Sequence, residues 1–119
     1  MAKAEEALAS AAGDFASNRF NSCANRSYYA CFQAATSALL TMGVDARSHR
    51  AVQALFAREL VNRRKMYSGN MSSVLPMLTT LRQTADYRPD HVTRGEASRA
   101  LAHAGHFVDE ILARRRRSP

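Results

Sequence analysis

The stretch Asn21–Gly43, NSCANRSYYACFQAATSALLTMG, decides how this chain folds. Its apolar residues Ala24, Tyr28, Cys31, Ala35, Ala38 and Met42 recur at alternating steps of four and three, and Phe32 and Leu39 widen the stripe. That period belongs to a helix with one buried face, and no strand-like alternation competes with it. Gly43 follows at once, as the residue best able to take the left-handed conformation that closes a helix. The spacing predicts a helix from about Asn21 to Met42.

The rest of the chain reads the same way. A first helix runs from about Ala2 to Ser17, with Leu8, Ala11, Ala12 and Phe15 on one face, and "SNRFN" breaks it from the second. Ser48 is a natural N-cap for a third helix that turns Val52, Leu55, Phe56 and Leu60 inward. "RRKMYSGNMSS", residues 63–73, is the longest polar interruption and is expected as a loop. A fourth helix then runs from about Ser73 to Tyr87, with Leu75, Leu78, Leu81 and Ala85 inward and Pro76 in the first turn, where its missing N–H costs nothing. Arg88 precedes Pro89 and so ends it. Thr93 to Glu96, "TRGE", is a capping box that opens a fifth helix carrying Ala97, Leu101, Ala104, Val108 and Ile111.

Helices joined by short connections make an all-α, up-and-down bundle of four to five helices over residues 1–113, followed by a basic tail at 114–119. The stripe on helix two and the apolar face of helix four exceed what so short a bundle can cover alone, so the chain is expected to pair as a homodimer through helix faces. At 119 residues it makes one domain, and 46% hydrophobic with 23% charged residues is ordinary for a globular protein. No apolar run reaches the ~18 residues that a membrane helix requires, so no membrane partner is expected. The N-terminal segment carries two glutamates and no apolar signal region, which makes the cytoplasm the default location. Cys23 and Cys31 are eight apart on one helix, too far to bridge, and read as small buried side chains in a reducing compartment.

The formal charge is +7, and four of the positives are Arg114 to Arg117; without them it falls to +3. That run reads first as a solvated, frayed tail that favours the helix dipole. Arg58, Arg63, Arg64 and Lys65 are more suggestive of an anionic partner, because they close a helix beside a loop. Asn25, Arg26 and Tyr29 fall on adjacent faces of helix two and could line a groove beside helix four. Tyr28 lies on the apolar stripe, where a phenol hydroxyl needs a buried partner. His49 follows the cap of helix three, where backbone N–H groups favour an anion. Arg82 and Asp86 are four apart and share a helix face, either as an ion pair or with Asp86 reaching Arg26. His103 and His106 on helix five read as partly buried packing residues, with no carboxylate or cysteine at metal-ligand spacing.

Four blocks in order, "ANRSYYACFQAATSALLTMG", "SHRAVQALFARELV", "LRQTADY" and "EASRALAHAGHFVDEIL", resemble the HEPN family of small helical proteins. The similarity extends from Leu8 to Leu112 and is closest to the branch with "RxYYAxF" on helix two, then "SH", then "R-x3-D-Y". The resemblance implies a homodimeric bundle, often encoded beside a small nucleotidyltransferase that acts as its antitoxin. It also implies an RNA-directed toxin or defence role with a phosphate-binding cleft at the dimer interface and no cofactor. Many of the family resemble metal-independent ribonucleases, in which four to six residues separate an arginine from a following histidine. Here Asp86 and Tyr87 hold that place, and His91 lies nine residues after Arg82, beyond Pro89. A literal match at Arg99 to His106 falls on the wrong helix. The resemblance thus assigns Arg82, Asp86 and Tyr87 to the catalytic strip and Tyr87 as an acceptor for nucleotide transfer. Asn25, Arg26, Tyr29 and His49 become contacts to RNA or nucleotide. The alternative is a non-catalytic module that binds a nucleotide or a nucleotidyltransferase partner.

Overall fold

Ten side chains of a single helix are buried, and six of them are alanine or serine. That helix is α2 (Phe20–Thr41), and its small residues let neighbours approach on several sides. In the computed structural model, residues 1–87 and 92–117 are described, with side chains described for 1–85 and 92–115. The elements are α1 (Ala2–Ala16), α2, α3 (His49–Leu55) continuing directly as a π-helical segment (Phe56–Arg63), α4 (Gly69–Tyr87) and α5 (Arg94–Arg117). The described residues form no strand, and α2 packs against every other helix. The expected all-α bundle is what the chain forms.

The stripe on α2 is present but broader than its period suggests. Cys23, Ser27, Ala30 and Ala34 are buried beside Ala24, Tyr28, Cys31, Ala35 and Ala38, so α1 and α5 cover one flank and α4 another. Both cysteines are free and buried, and burial pushes their thiols up, so neither is a ready nucleophile. The helix closes with Gly43 at φ +80°, where its N–H reaches the Leu40 carbonyl at 3.0 Å and the Val44 N–H reaches Leu39 at 3.0 Å. That reciprocal pair leaves two terminal carbonyls satisfied. Among the described residues, the large apolar side chains left exposed are Tyr29, Leu40 and Met77.

Five expectations are corrected. On α1 the buried face is Ala4, Ala7 and Ala11, while Ala12 is exposed and Leu8 and Phe15 are half-buried. The third helix does not stay α-helical: the wider π turn lets Phe56, Leu60 and Val61 all point inward, with Leu55 left at the margin. The loop at 63–73 is shorter than its polarity suggests, because Ser72 and Ser73 donate back to the Gly69 and Asn70 carbonyls and buried Met71 and Val74 anchor the turn. Pro76 is therefore the eighth residue of α4, not a first-turn residue, and its ring faces solvent. Finally, α5 continues through Arg117, so Arg114 and Arg115 belong to a helix and not to a frayed tail.

Phe56 ties the halves of the core together, with ring centres 5.2 Å from Phe107 on α5 and 5.5 Å from Tyr67. The N-terminus of α5 is closed by the capping box: Thr93 N–H donates to Glu96 Oε1 at 2.9 Å, and Glu96 N–H donates to Thr93 Oγ1 at 3.1 Å. Thr93→Ala should lower the unfolding free energy by about 1 kcal/mol in urea titration. Because the two bonds are reciprocal, Glu96→Ala should cost less in that background than in the native chain. Strict additivity of the two substitutions would show that the box does not act as a unit.

Candidate functional site

Ser22, Asn25, Arg26 and Tyr29 recur at i, i+3, i+4 and i+7, which places them together along the side of α2 opposite its buried surface. They form one wall of a groove of about 760 Å³, closed by Ser10 and Asp14 of α1, His49 of α3 and Arg82 of α4. Asn25, Arg26, Tyr29, His49 and Arg82 thus meet in one place although they come from three helices. Asp86 lies one helical turn beyond Arg82, and Tyr87 is the last residue of α4. The side chains of Asp86 and Tyr87, and His91 altogether, lie outside the described residues, so the pairing of Asp86 with Arg82 or Arg26 does too.

Tyr28 organises the groove from beneath. Its side chain is 2% exposed, and its hydroxyl hydrogen-bonds to His49 Nδ1, the partner that the buried phenol needs. The two rings lie 5.4 Å apart and nearly parallel, at 6°, and the His49 ring stacks on Phe32 at 4.3 Å. On α4, the Arg82 guanidinium carbon sits 5.4 Å from the centre of the Tyr28 ring. Burial pushes the Tyr28 hydroxyl up, while the Thr79 hydroxyl and the Arg82 charge draw it partly back. The phenol therefore stays neutral at physiological pH. A neutral hydroxyl can hold Nδ1 of His49 and leave Nε2 as the ring nitrogen turned away from Tyr28.

Arg26 and Arg82 bring two cations to the groove, and its one described carboxylate, Asp14, is engaged by Arg19 Nε at 3.1 Å. A second groove of about 690 Å³ shares Tyr28, His49 and Arg82 with the first and adds Gln53, Gln83 and Pro76. The trio accordingly stands between two recesses, and the second adds a cation of its own, Arg50, beside its amides and alkyl surface. Such a place can hold an anion with arginines and exchange a proton through an imidazole.

Sequence reading overlooked Ser10, Asp14 and Ser22. Their one signal is the helical spacing of Ser10 with Asp14 and of Ser22 with Arg26, which also describes any solvated face. His103 and His106 are not packing residues as expected; both are exposed and line a separate groove on α5. Arg99, the start of the literal arginine-to-histidine match, is likewise exposed on α5 and away from the groove. Among the described residues no three His, Cys, Asp or Glu side chains stand close enough to hold a metal ion. No helix there is long and apolar enough to cross a membrane.

Tyr28→Phe keeps the stacked ring and removes only the hydroxyl, so the fold should survive with a loss of about 1 kcal/mol. The ¹⁵N shifts of both His49 ring nitrogens should move, since Nδ1 exchanges a fixed partner for water. Unchanged His49 shifts would show that the bond is not formed in solution.

The sequence profile described as HEPN domain matches residues 1–115. Two proteins of Methanocaldococcus jannaschii are also similar. The chain is 32% identical to "Putative toxin MJ0605" over 112 residues, 91% of this chain and 80% of that one. It is 27% identical to "Putative toxin MJ0142" over 105 residues, 88% of this chain and 71% of that one. With a family match across nearly the whole length and a five-helix bundle to carry it, the chain belongs to the HEPN domain family.

Proposed function

We propose that this protein is the RNA-directed toxin or defence component of a nucleotidyltransferase–HEPN pair, and that the Arg26–Arg82 groove is where it takes the phosphate backbone. The observation that carries the reading is the convergence of Asn25, Arg26, Tyr29, His49 and Arg82 from three helices into one recess. The toxin names of the two relatives support the class of function. In this reading Arg26 and Arg82 clamp a phosphate, a geometry for which guanidinium is well suited. Tyr29, 38% exposed at the rim, offers a face on which a base can stack. Asn25 supplies a hydrogen bond to sugar or base.

Strand cleavage would follow from attack of the 2′-oxygen on phosphorus with departure of the 5′-oxygen. One group must take the 2′ proton, and water can protonate the leaving oxygen. Asp86, one turn beyond Arg82, and His49, held by Tyr28, are the two candidates for the first task. A second copy of the chain closes the groove from its solvent side, so the working form is a cytoplasmic homodimer. The partner nucleotidyltransferase silences the toxin by moving a nucleotidyl group from a nucleoside triphosphate to the Tyr87 phenol oxygen, releasing pyrophosphate. A bulky anion at the end of α4 would then repel RNA from the cleft.

A non-catalytic reading is favoured by one feature, the absence of a histidine separated from Arg82 by four to six residues. Cleavage and binding separate the two. With a labelled single-stranded RNA in the presence of chelator, Arg26→Ala and Arg82→Ala should each weaken binding about tenfold, the effect of removing one charge-assisted hydrogen bond. Arg82→Ala and Asp86→Ala should also abolish cleavage. Binding without cleavage by the native protein would establish the non-catalytic module. Equal binding by native and Arg82→Ala proteins would remove the groove from the account.

A further inference from the structure

Two basic runs that lie far apart in the sequence meet at one pole of the bundle. Arg114 Nη1 donates to the Met66 carbonyl at 3.2 Å, and the Arg114 guanidinium lies over the Tyr67 ring. Met66 directly follows Arg63, Arg64 and Lys65. The neighbouring Arg115 donates from Nη1 to Ser37 Oγ of α2 at 2.9 Å. The Arg115 bond runs to a neutral acceptor, so it positions that guanidinium without cancelling its charge. Arg63 is partly offset by Glu59, at 2.8 Å, whereas Arg64 and Lys65 extend into solvent.

The pole is aligned with the groove. Ser37 is eleven residues beyond Arg26, three helical turns, so the two share the solvent face of α2 with Tyr29 and Gln33 between them. The separation along the helix is about 17 Å at 1.5 Å per residue. A polyanion lying along that face would meet Arg26 at one end and Arg115 at the other, with the loop cations beyond.

We infer that the Arg64–Lys65 loop and the Arg114–Arg115 turn of α5 form a second, sequence-independent RNA-backbone site that anchors a strand whose other end occupies the groove. The proposal rests on the RNA reading of that groove and extends it: the groove holds one nucleotide step, and the pole selects strands long enough to reach it. An acidic protein tail or an anionic membrane could meet the same charges. Neither would require the pole and the groove to share a line on α2.

The test uses the full chain and two ligands, a dinucleoside monophosphate and a single-stranded RNA of about a dozen nucleotides, near the site size of one small binding fold. The variants are Arg64→Gln with Lys65→Gln, and Arg114→Gln with Arg115→Gln. Glutamine keeps a donor for the Met66 and Ser37 acceptors, and circular dichroism verifies the fold. Each pair should weaken the long strand at least tenfold and leave the dinucleotide within twofold. The slope of log affinity against log salt should become shallower by about 0.7 for each phosphate no longer neutralised. Native affinity and slope in both variants would overturn the pole while leaving the groove intact. Displacement of the RNA by polyglutamate at equal charge, or tighter retention on anionic vesicles than on RNA, would overturn it in favour of those partners. If native protein bound neither ligand, pole and groove would fall together.

Discussion

The hydrogen bond between the buried Tyr28 hydroxyl and His49 Nδ1 is the interaction on which the rest of the site depends. It joins α2, the helix at the centre of the bundle, to the first residue of α3. On the same Tyr28 ring, α4 lays the Arg82 guanidinium. Three helices are therefore registered through one aromatic ring. Because Tyr28 is enclosed, its hydroxyl has little access to water, and loss of His49 would leave it only the Thr79 hydroxyl as a partner. His49 is held by stacking as well, between that requirement and the Phe32 ring. An exposed imidazole at a helix start would otherwise sample many rotamers; here it has a single seat.

This arrangement separates two demands on α2. Its inner surface is built of alanine, serine and cysteine so that neighbouring helices pack closely, and its outer face carries Arg26, Tyr29 and Gln33. Tyr28 sits at the border and serves both. The cationic character of the protein is divided along that outer face. Arg26 and Arg82 face each other across a polar recess, while Arg64, Lys65, Arg114 and Arg115 stand exposed at the pole. The first arrangement suits close recognition of one phosphate, and the second suits long-range attraction of a strand.

Much of this was legible in the sequence, for identifiable reasons. The stripe from Ala24 to Ala38 and the Thr93–Glu96 box are local patterns, and local patterns are what helix periodicity reports. The grouping of Asn25, Arg26 and Tyr29 followed from helical spacing, and Tyr28 was marked by its hydroxyl in an apolar row. The misreadings arose where tertiary packing outvoted composition. Polar residues at 69–73 continue a helix because Met71 and Val74 are buried beneath them, and the π segment exists because Val61 also needs cover. The contribution of α1 to the groove, through Ser10 and Asp14, and the meeting of Arg114 with Met66 depend on the packing of remote segments. No single-chain pattern carries those.

The most direct test of the central claim is NMR titration of the full protein with a dinucleoside monophosphate, following arginine Nε–Hε and histidine ring signals. The account predicts saturable shifts at Arg26, Arg82 and the His49 ring, with the bond from Tyr28 to Nδ1 retained. Shifts confined to His103 and His106 on α5, or no shift at Arg26 and Arg82 at saturating ligand, would contradict it.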